Sequence, residues 1–271
     1  AGADAVYVGA PGLNARALAR DFTFAEIAAM THHAHEQGRR LYVAMNSLVK
    51  EGELRLALES LEALARIGPD ALIISDAGVL DLARSLTSLP IHISTQASTT
   101  SAMGVRFWAG LGASRVILAR ELCLDEIRAV AAACPHTELE VFVHGSLCVS
   151  YSGKCVLSNY SAGRDANAGG CVHGCRWRYA VDGAGETALM NSRDMLGLRA
   201  VPALVRAGVA SFKIEGRMKS ALYLANAVSV YRRMLDACAD GAEPDADFTE
   251  GLACELAAVR NRGFAGFPEP G

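Results

Sequence analysis

The sequence predicts an α/β protein: a (β/α)8 TIM-type barrel lacking its first strand, with a long cysteine-bearing loop after the strand at 139–145. Three observations lead there. Short apolar strand runs alternate with amphipathic helical stretches along the chain. No glycine-rich phosphate loop follows the first strand, as a doubly wound dinucleotide-binding sheet would require. The stretch from Cys148 to Ser192 is too long for an ordinary strand-to-helix connection, so it reads as an excursion at the face where barrel enzymes carry their sites.

The strand runs are AVYVG (5–9), RLYVAMN (40–46), ALIIS (71–75), IHISTQ (91–96), RVILA (115–119), LEVFVHG (139–145) and SFKIEG (211–216). Helical patterns lie near 23–38, 52–67, 76–87, 98–112, 121–134, 193–207 and 219–239, and VDGAGETALMNS suggests a small hairpin. The chain enters a strand at once and lacks an initiating Met, which reads as a cut upstream; an eighth strand before Ala1 would complete the barrel. Residues 1–240, including the cysteine loop 146–192, read as the barrel domain, and 241–271 as a C-terminal linker or the start of a truncated extension.

Alternate residues of a barrel strand face the helices and the interior. In 139–144 the apolar Leu139, Val141 and Val143 suit the helix side, leaving Glu140, Phe142 and His144 inward. The same parity turns Lys213 and Glu215, His92, Ser94 and Gln96, and Tyr7, Tyr42 and Asn46 inward. Buried charges are costly unless paired, so Lys213 is expected to join Glu215 or Glu140. Asn46, Gln96, His144 and Glu215 fall at strand C-terminal ends and are the candidate functional groups.

Cys148, Cys155, Cys171 and Cys175 form a C-x6-C-x15-C-x3-C set among glycine, asparagine and serine, a loop that can gather four thiolates around a metal. Zinc prefers two short C-x2–4-C pairs, and only Cys171 and Cys175 fit; iron–sulfur clusters tolerate irregular spacing. Iron–sulfur, zinc or neither therefore remain open from the residues alone. The other four of the eight cysteines, Cys123, Cys134, Cys238 and Cys254, read as small buried hydrophobes. Lys154, Arg164, Arg176, Arg178, Lys213, Arg217 and Lys219 flank the loop and suit a phosphate or carboxylate, or else neutralise the thiolates. Tyr151, Tyr160, Trp177 and Tyr179 interleave with them and suit a stacked ring, or simply pack the loop.

Composition sets limits. With 51% hydrophobic residues the chain can bury one large core, and a formal net charge of −3 supplies no global basic field, so any polyanion contact is local. No apolar run reaches transmembrane length, so no membrane partner is expected; no signal peptide is visible, which means little in a chain cut upstream, and the cytoplasmic reading rests instead on a long, core-rich chain whose cysteines favour metal over disulfides. His35-Glu36 is followed by Gln37, Gly38 and Arg39, so HExxH is absent; G-x-S-x-G and Walker A patterns are absent too. His32, His33 and His35 read as surface groups.

EVFVHGSLCVSYSGKCVLS, RDANAGGCVHGCRWRY, SFKIEGRMKS and NRGFAGF resemble blocks of the collagenase-like peptidase family U32, and AGADAVYVG, MNSL and STQAS look familial as well. Despite its name, the resemblance implies oxygen-independent hydroxylation: of a tRNA wobble uridine, a ribosomal RNA cytidine or a ubiquinone-precursor ring, with prephenate as oxygen source. It also implies a four-iron four-sulfur cluster on Cys148, Cys155, Cys171 and Cys175, and the C-x3-C-R-W ending is similar to the RNA-modifying members. The implied partners are tRNA or rRNA and a further protein of the same family. From placement, Lys213, Arg217 and Arg176 would hold prephenate or phosphate, and His144 and Glu215 would handle protons. The alternatives are a peptidase, for which no nucleophile–base pair is recognisable, a ubiquinone-precursor hydroxylase, and a non-catalytic barrel stapled by metal.

Overall fold

A computed structural model describes residues 1–15, 21–183, 185–216 and 219–269. Along the chain lie β1 (Ala5–Gly9), α1 (Phe24–Glu36), β2 (Arg40–Met45), α2 (Leu54–Ile67), β3 (Ala71–Ile74), α3 (Ala77–Leu86) and β4 (Ile91–Ile93). Then follow α4 (Ala102–Gly110), β5 (Arg115–Ile117), α5 (Leu124–Ala133), β6 (Glu138–Ser146), α6 (Leu157–Ala162), β7 (Tyr179–Val181), β8 (Gly185–Thr187) and β9 (Asp194–Leu196). The chain continues with α7 (Val201–Arg206), β10 (Ser211–Ile214), α8 (Ala221–Ala237), α9 (Ala246–Ala257) and β11 (Phe264–Ala265).

The expected α/β class and parallel sheet form. β1 to β6 pair in sequence order, all parallel, and β10 adds parallel to β6. Parallel neighbours need a crossover, and the helices α1 to α5 supply it between successive strands. Their starts are fixed locally: Thr23 and Glu26 cap α1 reciprocally, and Asp76 Oδ1 accepts from Gly78 N and Val79 N at α3. The two faces of the sheet divide by parity. Leu41, Val43, Leu72, Ile74, Ile91, Ile93, Val116, Leu139 and Val141 join the helices in one large core. Tyr42, Ala44, Ala71, Ile73 and Ile117 form a second, smaller core on the opposite face, with Tyr7 and Phe142 against it. Fully burying each such Leu or Ile contributes roughly 1.5–3 kcal/mol.

Among the described residues the parallel ladder ends at β1 and β10. The sheet nevertheless curls until these two outer strands meet through side chains: Tyr7 Oη donates to Glu215 Oε2 at 3.2 Å, and Lys213 Nζ lies 4.2 Å from the Tyr7 ring centroid.

Three expectations are corrected. The segment expected to be helical from 193 begins instead as β9, antiparallel to the end of β6, and only its later part becomes α7. The cause is distant in sequence: Arg262 and Lys219 clamp the fully buried Asp194 carboxylate and draw this stretch into the sheet. Cys254 is exposed, because α9 presents it away from the core, whereas Cys123, Cys134 and Cys238 are buried as expected. Third, His144 does not follow its strand parity. The β6–β10 register passes from Phe142↔Lys213 to His144↔Ile214, so β6 carries an extra residue at Val143. That bulge turns the His144 ring onto the α8 side, against Tyr223 and Tyr231 and close to Phe264.

The hairpin expected in 181–192 forms as β7–β8, starting at Tyr179. His32, His33 and His35 are exposed. The C-terminal stretch packs α9 on α8 through the Arg233–Glu255 pair and adds β11 parallel to β9. No helix among the described residues is long and apolar enough to cross a membrane.

Candidate active site

The C-terminal ends of the strands border a cavity that is open to solvent. Its floor is Ile73, Ile117 and Phe142, and its polar lining includes Tyr7, Asn46, Ser94, Gln96, Arg120, Lys213 and Glu215. Four of the residues proposed from sequence thus converge: Asn46, Gln96, Lys213 and Glu215. Asn46 is held rigidly, its Nδ2 donating to Ser94 Oγ at 3.0 Å and its Oδ1 accepting from Ala15 N at 3.1 Å. Ser94 Oγ also accepts from Gln96 N, which shapes the turn after β4.

Beneath the cavity lies the buried charge network that parity anticipated. Lys213 Nζ donates to Glu140 Oε1 at 2.9 Å. The sequence reading missed the third member: Arg115 donates to Glu140 Oε2 at 3.2 Å and to Glu138 Oε2 at 2.6 Å. Extending parity to β5 would have found it, since Val116 faces the helices and its neighbour Arg115 must face inward. Burial alone would raise the Glu140 pKa, but Lys213 and Arg115 overcome it and hold the carboxyl at about 2. His92, edge-on to Tyr42, is lowered to about 4 by burial and then by Arg115, against the opposing pull of Glu140.

His144 borders a smaller adjoining cavity shared with Arg120, Phe142 and Glu215. Burial lowers its pKa to about 4, Lys219 adding to the effect and Asp194 opposing it. At neutral pH its imidazole is therefore uncharged. Tyr231 Oη lies 3.5 Å from Nδ1 and donates to Val143 O at 2.7 Å, which ties the bulge to α8.

The cysteine loop is docked on the rim of the cavity. Ser152 is fully buried: its N and Oγ both donate to Glu121 Oε1, at 2.9 and 3.1 Å, and its carbonyl accepts from Ser98 Oγ. At Gly153 (φ +70°) a Cβ would stand 2.1 Å from Gln96 O, so only glycine allows this approach. Nothing in the sequence singled out this Ser-Gly pair beyond its place between Cys148 and Cys155.

Further along, the loop folds back on itself. Asn167 Nδ2 donates to Cys155 O at 2.8 Å, Gly170 N to Asp165 O at 2.7 Å, and Val172 N to the buried Ser158 Oγ at 3.2 Å. Tyr179 Oη donates to Gly174 O at 2.7 Å and fixes the far end. These bonds return Cys171 and Cys175 toward the earlier pair. All four thiols are free, and the Cys175 pKa is raised by burial and then by Cys148, with Cys171 and Cys155 adding and Arg176 opposing. Four reduced thiols within electrostatic reach of one another suit a thiolate-ligated metal group in donor chemistry. Among the described residues no three His, Cys, Asp or Glu side chains stand at metal-ligating distances.

Arg176 stands with the thiols rather than in the cavity lining; partial burial and Arg262 lower its pKa, while Cys175, Asp194 and Cys171 raise it. Arg217 lies outside the described residues.

Fold and site define an α/β protein with a polar cavity at its strand C-termini and a thiol-rich loop across the rim. The chain belongs to peptidase family U32, whose sequence model matches residues 1–267. It is similar to the tRNA hydroxylation protein P of Escherichia coli, at 34% identity over 97% of this chain and 69% of that protein. It is 40% identical to the 23S rRNA 5-hydroxycytidine C2501 synthase of Escherichia coli, over 87% of this chain and 36% of that protein. A protein named Collagenase from Porphyromonas gingivalis is 30% identical over 97% of this chain and 68% of its own length. The chain thus spans between 36% and 69% of these relatives.

Proposed function

We propose that this chain is the barrel part of an oxygen-independent RNA hydroxylase acting on a tRNA uridine, with prephenate as oxygen source. Cys148, Cys155, Cys171 and Cys175 hold a four-iron four-sulfur cluster in this reading, and when bound the cluster supplies one-electron chemistry. The observation that carries it is the docking of Ser152 and Gly153 against Glu121 and Gln96, which fastens the thiol loop to the rim of the cavity. The relatives named for tRNA and 23S rRNA hydroxylation support the RNA class.

The chain's own residues then divide the work. Asn46 and Gln96 offer amides that orient a polar small molecule, and the apolar floor excludes water from one side of it. Glu215, at the cavity wall with Tyr7 Oη donating to it, exchanges protons with the substrate. Lys213 is committed to Glu140 and sets the field of the cavity floor. His144 stays neutral and buttresses the bulge beside Glu215. On the loop, the exposed Tyr160 and Trp177 (88% and 45% exposed) interleave in sequence with Lys154, Arg164, Arg176 and Arg178, a mixture that suits stacked bases and phosphates.

The test is nucleoside mass spectrometry of tRNA from a strain lacking the gene. Hydroxylated uridine should disappear, return with the full-length gene, and fail to return with Cys148→Ala. Full restoration by Cys148→Ala would overturn the proposal. The relative named Collagenase keeps a peptidase reading in view; steady cleavage of denatured collagen by a variant lacking all four loop cysteines would favour it.

A further inference from the structure

Of the cations around the cavity, Lys213 and Arg115 are already matched by Glu140 and Glu138. Arg120 is different. It follows β5, is partly buried, and lines both the main cavity and the smaller one beside His144. Among the described residues its only side-chain partner is Ser152 Oγ, 3.3 Å from Nε, and no carboxylate pairs with it. Ser152 Oγ is in turn held by Glu121 Oε1 at 3.1 Å, so its hydrogen points away from Arg120 and a lone pair faces Nε. The Nε edge of the guanidinium is thus fixed by the cysteine loop, and the two terminal nitrogens remain for a ligand. A planar fork held this way matches a carboxylate bidentately. The apolar floor of the same cavity, Ile73, Ile117 and Phe142, suits the carbon skeleton of an organic acid, which inorganic phosphate lacks.

We propose that Arg120 is the carboxylate anchor of the cavity, binding the acid group of a small organic acid through its terminal nitrogens while Ser152 of the cysteine loop sets its orientation. The inference deepens the proposed function, resting on it only in taking prephenate as the acid. It also couples the two parts of the site. A shift of the thiol loop moves Ser152 and with it the anchor, so binding of the acid and seating of the loop favour one another.

The experiment is calorimetric titration of the anaerobically purified chain with prephenate, phenylpyruvate, succinate and inorganic phosphate, on the parent, Arg120→Gln, Arg120→Lys and Ser152→Ala. Circular dichroism checks that each variant folds. The parent should bind prephenate and not phosphate. Arg120→Gln should weaken binding by about tenfold or more. Arg120→Lys should recover part of that loss, and Ser152→Ala should cost less than Arg120→Gln. Equal binding of prephenate by parent and Arg120→Gln overturns the anchor while leaving the oxygen-donor reading intact. Arg120-dependent binding of phenylpyruvate or succinate, without binding of prephenate, upholds the anchor and removes prephenate. Binding of none of the three acids, or of phosphate alone, overturns the anchor.

Discussion

Replacing Glu140 by Gln should cost this protein several kcal/mol at neutral pH, because it removes one negative charge from beneath two buried cations. Glu140 is 4% exposed, lies 2.9 Å from Lys213 and 3.2 Å from Arg115, and is held at a pKa of about 2 against an ordinary 4.5. At ~1.4 kcal/mol per pKa unit, that preference for the ionised form contributes about 3 kcal/mol. The sign follows from the direction. The folded state binds this proton less readily than the unfolded chain, so the contribution is complete above pH 4.5 and is lost as pH falls toward 2. Gln keeps the shape but leaves Lys213 without its counter-charge, which brings the expected loss to about 3–5 kcal/mol. Arg115 retains Glu138, so the loss should fall mainly on Lys213. Glu140→Leu combined with Lys213→Met should therefore be less damaging than the two single changes summed. Guanidinium unfolding followed by circular dichroism measures each variant at pH 7 and pH 3. A Glu140→Gln protein within about 1 kcal/mol of the parent at pH 7, or strictly additive single changes, would refute the reasoning.

Acid should weaken the fold through the histidines as well. His144 and His92 are both lowered from 6.5 to about 4, so the fold favours their neutral forms; that stability is full above pH 6.5 and lost as pH falls through 4. His144→Phe should remove about half of the histidine-linked decline in unfolding midpoint between pH 6.5 and 4, and an unchanged decline would contradict its buried, neutral state. Gly153→Ala should lift the cysteine loop, since φ is +70° and the new Cβ would meet Gln96 O at 2.1 Å. Limited proteolysis should then cut within 147–163 faster than in the parent while the strands stay resistant, and equal rates would mean the loop is not docked there.

Much of the fold was legible in the sequence because each strand is a short apolar run and each helix a periodic one. Parity alone turned Lys213 and Glu140 inward together, leaving Glu215 as the alternative partner that the structure passes over, and separated Ile91 and Ile93 from His92. What stayed hidden was set by contacts distant in sequence. The strand at Asp194–Leu196 depends on Arg262, far down the chain, so local periodicity read it as helix. The bulge at Val143 inverts the side chain that follows it, and the one local sign of it is Gly145 (φ +115°) two positions on. Arg120 lay just past a strand end, outside the stretch where parity operates, and its importance emerges only once Lys213 is seen to be paired. The cysteine spacing exposed the donor set, but the role of Ser152 and Gly153 in docking it required the partners Glu121 and Gln96.

The central claim, a thiol loop that carries an iron–sulfur cluster over the cavity, is tested most directly by iron and acid-labile sulfide analysis of the anaerobically purified protein together with its visible spectrum. The account predicts a brown protein with iron and sulfide in equal amounts and a broad charge-transfer band, both lost in Cys171→Ser. A colourless protein carrying one zinc ion would contradict it.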